Sequence, residues 1–116
     1  MSIPRPTEQH IQRACLDYLA LIGAFVWRQN SGAMARTNAE TGKRYYTRFS
    51  GATGCSDIIG VHQGRFLAVE VKQPGKQATA EQLAFLDHVK AHGGIALVVT
   101  GVTDLQQQLA ALEASK

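Results

Sequence analysis

Two short apolar runs separated by a tight turn constrain this chain more than any other feature. Residues 55–61 read Cys-Ser-Asp-Ile-Ile-Gly-Val, and residues 65–72 read Arg-Phe-Leu-Ala-Val-Glu-Val-Lys. Both are rich in β-branched and aliphatic side chains, as strands are. His62-Gln63-Gly64 lies between them, and glycine supplies the positive φ that a tight hairpin needs. If the loop is Gln63-Gly64 alone, His62 pairs with Arg65 and Asp57 falls opposite Glu70. Directly opposed side chains have Cβ atoms about 4.5–5.5 Å apart, where like charges repel. A compensating cation is then required. Alternation along the strand also places Lys72 on the face of Glu70.

The rest of the chain supplies helices to cover such a hairpin. Pro4 and Pro6 end an irregular arm, and Thr7 caps a helix expected to run to about Ile22. Ile11, Cys15, Tyr18, Leu19 and Ile22 form its apolar stripe. Glu8 borders that stripe. It is either an acid favoured by the helix dipole or a carboxylate aimed into a site, and periodicity leaves both open. Gly23 closes the helix. Residues 24–29 read as a strand, Asn30-Ser31-Gly32 as a turn, 33–42 as a polar loop and 43–49 as a further strand.

Beyond the hairpin, Thr79-Ala80-Glu81-Gln82 is a capping box. The helix after it is expected to bury Leu83, Leu86 and Val89, with Phe85 completing the face. The unbroken apolar run at 95–100 suits a strand covered on both sides. Thr103 is expected to cap a last helix with Leu105, Leu109 and Leu112 inward. The order α-β-(β)-β-β-α-β-α makes an α/β fold, helices flanking a mixed sheet. At 116 residues, one domain over 1–116 is expected.

Composition excludes several classes. No apolar run approaches the roughly 20 residues of a membrane span, and the N-terminus lacks a signal-peptide core. A cytoplasmic location follows as the expectation. Cys15 and Cys55 lack the CxxC spacing of a zinc site, so free thiols are expected. The loop at 50–56 has neither the lysine of a phosphate-binding P-loop nor the GxGxxG of a dinucleotide site, so no organic cofactor is expected. Its small residues would admit a substrate backbone to Asp57. The net charge is only +3. However, Arg28, Arg36, Lys43, Arg44 and Arg48 crowd one region with Glu40 as the only acid. Together with Asn30 and Lys76 they form a candidate nucleic-acid surface, and the arm from Ala33 to Phe49 could form a basic hairpin in which Tyr45, Tyr46 and Phe49 interleave. A solvated basic loop, or a sheet edge whose tyrosines pack, fits the same residues.

Asp57 and Glu70 can be read chemically on their own. Mg²⁺ takes oxygen ligands, usually one or two carboxylates plus water and phosphate oxygens. These two carboxylates and the Val71 carbonyl could supply them. Lys72 could then orient a water or neutralise charge developing on phosphorus. The plain alternative is an ordinary cross-strand arrangement with a snorkelling lysine. Against that, Glu70 sits among Phe66, Leu67, Ala68, Val69 and Val71, where a bare carboxylate is costly.

Asp57 with Glu70-Val71-Lys72 resembles the motif of the PD-(D/E)XK nucleases, with Ser56 where the motif has proline. The segments 54–60, 66–72 and 73–75, with 79–82 and Phe85-Leu86, resemble the VRR-NUC group in particular, over residues 8–100. The resemblance implies a restriction-endonuclease-like α-β-β-β-α-β core with an extra C-terminal helix. It implies that Asp57, Glu70 and Glu8 hold Mg²⁺ or Mn²⁺, that Lys72 is the catalytic lysine, and that Gln82 stands beside the site while also capping its helix. Members of this stand-alone kind resemble Holliday-junction resolvases and act as homodimers, in bacteria or phage-infected cells. The function implied is metal-dependent endonuclease action on branched or flapped DNA. A non-catalytic DNA-binding module of the same fold is the alternative. It would gain nothing from two acids facing a polyanion.

Overall fold

The computed structural model describes residues 5–29, 33–48 and 54–115, with only the backbone course described for 33–36 and 46–48. Helix α1 (Glu8–Leu21) starts where expected: the His10 N–H donates to Thr7 Oγ1 at 3.1 Å. It buries Ile11, Cys15 and Leu19 at helical spacing. Strand β1 (Phe25–Arg28) follows, then β2 (Ala33–Thr37), β3 (Arg44–Arg48), β4 (Ile58–His62) and β5 (Arg65–Val71). Helix α2 (Ala80–Ala91), β6 (Ile95–Val99) and α3 (Val102–Ala114) complete the order.

The main sheet runs β1-β4-β5-β6, antiparallel except for the parallel pair β5 and β6. This is the mixed α/β arrangement expected, of the restriction-endonuclease-like kind, with β5 in the interior. On one face, α1 and α3 close a core built from Ile58, Leu67, Val69, Val71, Leu97, Val99 and Leu105. On the other, α2 covers a smaller cluster of Ala68, Leu86, Val89 and Ala96, where the two alanines let the helix lie close to the strands. No helix among the described residues is long and apolar enough to cross a membrane. Cys15 and Cys55 are both buried free thiols.

Three expectations are corrected. Residues 33–37, expected as loop, form β2, which pairs antiparallel with β3 from Ala33↔Arg48 to Thr37↔Arg44. Cross-strand backbone bonding outweighs the polar composition there, and the Asn38 side chain organises the turn by accepting the N–H groups of Glu40 and Thr41. The last helix is capped at Gly101, not Thr103, because the Asp104 carboxylate already takes the Thr100 N–H at 3.0 Å. Leu83 is 47% exposed rather than buried. Gln82 faces β5, and the next residue on a helix is turned about 100° away.

Gly60 permits the closest strand contact. A Cβ there would run into the Phe25 carbonyl and Val26 Cα of β1. Gly60→Ala is therefore expected to cost about 1–3 kcal/mol, as overpacking does, read from the urea unfolding midpoint. An unchanged midpoint would contradict the close approach of β1 to β4.

Candidate active site

Asp57 is held by both strands that flank it. Its backbone carbonyl accepts the Gln29 N–H at 2.7 Å, just beyond the end of β1. Its Oδ2 accepts the Val71 N–H at 2.9 Å, reaching across to β5. The ladder runs from His62↔Arg65 to Ile58↔Val69, so one further step sets Asp57 opposite Glu70 as turn counting predicts. Gln63 and Gly64 both have positive φ, 53° and 78°, which suits a two-residue turn of type I′ and locks this register.

Glu70 lies on the α2 face of β5 and is 2% exposed. Its Oε1 accepts Gln82 Nε2 at 2.9 Å, with Lys72 Nζ at 4.0 Å. Its Oε2 is buried beside the Asp57 carboxylate and accepts no hydrogen bond from a donor among the described residues. The capping box decides which end of Gln82 meets Glu70. Gln82 Oε1 accepts the Thr79 N–H at 2.8 Å, which leaves the amide nitrogen to donate to the carboxylate. One side chain thus caps α2 and binds the site. Lys72 follows the end of β5, and its N–H donates to the Val99 carbonyl at 2.9 Å, which holds its backbone against β6.

These surroundings push Glu70 from the usual 4.5 up to about 8. Burial is the largest cause, and the Asp57 carboxylate beside it is the next, through its charge and through a hydrogen bond to the protonated form; Lys72 pulls the other way and Glu8 adds a smaller push. Glu8, the first residue of α1, therefore acts on Glu70 through its charge. Among the described residues no three His, Cys, Asp or Glu side chains gather closely enough to hold a metal ion, so Asp57 and Glu70 stand as a pair. Two facing carboxylates, one with an unmatched buried oxygen, form an all-oxygen donor set of the kind a hard divalent cation takes.

Gly54 has a role the sequence did not disclose. Its φ is +73°, and a Cβ on it would meet the backbone of Glu81 and Gln82 in the first turn of α2. The small residue thus admits the helix that carries Gln82, where a substrate backbone was expected. Ser56 is wholly buried beside Asp57. Arg28 is exposed at the end of β1, while Lys43 and Arg44 are exposed at the turn end of the β2–β3 ribbon. Lys76 is exposed in the turn after β5, its N–H donating to the Gln73 carbonyl. The Arg36 and Arg48 side chains and all of Asn30 lie outside the described residues.

A carboxyl whose pKa is higher folded than unfolded binds its proton more tightly in the folded state. The unfolded chain releases it above 4.5 and the folded chain only above about 8, so folding stability falls as pH rises through that window. Metal-free protein is expected to lose melting temperature between pH 5 and pH 8, and Glu70→Gln to flatten that slope. Parallel slopes for the two proteins would contradict the assignment.

Comparison with known proteins agrees with this geometry. No curated protein matches the chain. The VRR-NUC domain matches residues 7–103, from the cap of α1 into the start of α3, and so takes in every strand and side chain of the site. The chain belongs to the VRR-NUC family of PD-(D/E)XK nucleases, whose function is of the nuclease type, acting on DNA.

Proposed function

We propose that the chain is one nuclease domain, over residues 1–116, that hydrolyses phosphodiester bonds as a divalent-metal-dependent endodeoxyribonuclease. The observation that carries this reading is the buried Glu70 carboxylate, facing Asp57 and left with an unmatched oxygen. Asp57 and Glu70 would hold Mg²⁺ or Mn²⁺, with the Val71 carbonyl as a further oxygen donor and Glu8, outside the pair, reaching the ion through its water shell. A bound ion of this kind polarises a phosphoryl oxygen and lowers the pKa of an attacking water.

The remaining roles belong to the chain itself. The Val71 N–H fixes one oxygen of Asp57, leaving the other for the site. Gln82 holds Glu70 in place through a side chain already anchored by its cap. Lys72 supplies positive charge at 4.0 Å from Glu70 and neutralises charge developing on the phosphoryl oxygens. Arg28, Lys43, Arg44 and Lys76 are exposed cations suited to phosphate contacts, with Arg36, Arg48 and Asn30 completing that surface by position in the sequence. The preferred substrate would be branched or flapped DNA.

A homodimer fits such a substrate, because paired sites cut two strands symmetrically. Phe25, Val61 and Phe66 stand in one cross-strand row on the α2 side of the sheet, with Trp27 beside Phe25, and all four are exposed. An apolar face of this kind supports pairing with a second copy.

Purified protein should cut branched and flapped DNA with Mg²⁺ or Mn²⁺ and not with EDTA. Glu70→Ala and Lys72→Ala should each lower kcat/KM about 10²-fold or more, and Gln82→Ala about tenfold. Light scattering on the same sample should give twice the chain mass. A wild type that cuts nothing, or variants that cut equally well, would overturn the catalytic reading in favour of a DNA-binding module.

A further inference from the structure

A groove of 460 Å³ opens between the outer side of α1 and the end of β1. That volume lies within the range of sites that enclose small organic ligands, about 300–1,000 Å³. Gln9, His10, Gln12, Arg13, Arg28 and Ile58 line it, and Leu16 closes its floor. The groove adjoins the candidate active site through two elements. Ile58 follows Asp57 at the start of β4, and Gln9 follows Glu8 at the start of α1. Arg28 pairs with Ile58 across the ladder, and residues paired in this way share a face of the sheet. The carboxylate pair is on the α2 face and the groove on the α1 face, both at the same end.

The chemistry of the lining is selective. Two guanidinium groups and an imidazole face it, and among the described residues no acid lines it. Arg13 also meets Asp17 at 3.7 Å, but both groups are exposed, and such a pair yields readily to a phosphate. Leu16 gives the floor an aliphatic surface, with the fully buried Ile58 beneath it. Gln12, one helical turn beyond Glu8, holds its Oε1 buried with no hydrogen-bond donor. A buried acceptor left unmatched is costly, and an arriving N–H group would relieve it. Cationic groups, an aliphatic floor and an unmatched acceptor together fit a nucleotide: phosphate on the cations, base against Leu16, its exocyclic amine or ring N–H on Gln12.

We propose that this groove receives the base of one unpaired nucleotide next to the scissile phosphate. The inference rests on the nuclease reading and deepens it. The preferred DNA carries an extrahelical or single-stranded nucleotide at the cut, because a base held in a duplex cannot leave its stack without an unpairing cost.

The test measures binding in EDTA, so it needs neither metal nor cleavage. Two duplexes are compared, one with a single bulged 2-aminopurine and one with 2-aminopurine fully paired. Wild type is expected to bind the bulged duplex more tightly and to raise its emission as the base leaves its stacked neighbours. Gln12→Leu removes the acceptor, and Gln9→Trp, at an exposed position, fills the groove without touching the core. Each should weaken binding of bulged DNA about tenfold, the worth of one buried polar contact, and change binding of paired DNA less than about twofold. Equal wild-type affinity for the two duplexes, unchanged emission, or equal losses on both in the variants would overturn the proposal. Such a failure would leave the cleavage test untouched, and absence of cleavage would leave this binding result standing.

Discussion

The Asp57–Glu70 contact across the β4–β5 hairpin is the constraint on which the rest of the structure depends. Like charges at this separation are unfavourable in any environment, and the cost grows when one of them is buried. The fold nevertheless enforces the contact three times over. The two-residue turn fixes the register, the Val71 N–H holds Asp57 against β5, and Gln82 holds Glu70 from above. Without these restraints the carboxylates would swing apart into solvent. The pair therefore holds a proton at neutral pH, and a cation brought beside it would favour the charged form of Glu70.

The flanking elements make sense from this centre outward. Helix α2 must approach closely enough for Gln82 to reach Glu70. The chain meets that need with Ala68 and Ala96 beneath the helix and Gly54 against its first turn. Helix α1 must bring Glu8 to the same end of the sheet, and the Gln73 side chain, donating to the Pro6 carbonyl at 3.1 Å, ties its entry to the loop that follows Lys72. The large core under α1 and α3 carries most of the apolar burial and holds the Val71 side chain, so the opposite face of the sheet can be polar without sole charge of stability.

Much of this was legible in the residues themselves. The Asp57–Glu70 register followed from turn length and strand alternation, two local rules that tertiary packing rarely overrides when a face is buried. The caps at Thr7 and Thr79 were equally readable, because capping is set within four residues. What escaped depended on distant partners. A basic hairpin was one reading of the arm from Ala33 to Phe49, but nothing near Ala33 marks residues 33–37 as the strand that pairs with 44–48, and Gly101 becomes a cap as Asp104 turns back to Thr100. The exposure of Leu83 follows from the rotation of α2 that Gln82 imposes. Gln12 was a near miss. Its spacing of four from Glu8 already put both on one side of α1, but only the packed structure shows its oxygen stranded in a groove.

The central claim is that the hairpin holds Glu70 where its carboxyl keeps a proton at neutral pH unless a cation stands beside it. Carbon-13 NMR of the labelled Glu70 side-chain carboxyl, titrated with and without Mg²⁺, tests it most directly. The account predicts that this carboxyl titrates near 8 in metal-free protein, and that saturating Mg²⁺ moves its titration back down, since a neighbouring cation favours the charged form. A metal-free titration near the ordinary 4.5, or one that Mg²⁺ leaves unmoved, would contradict it.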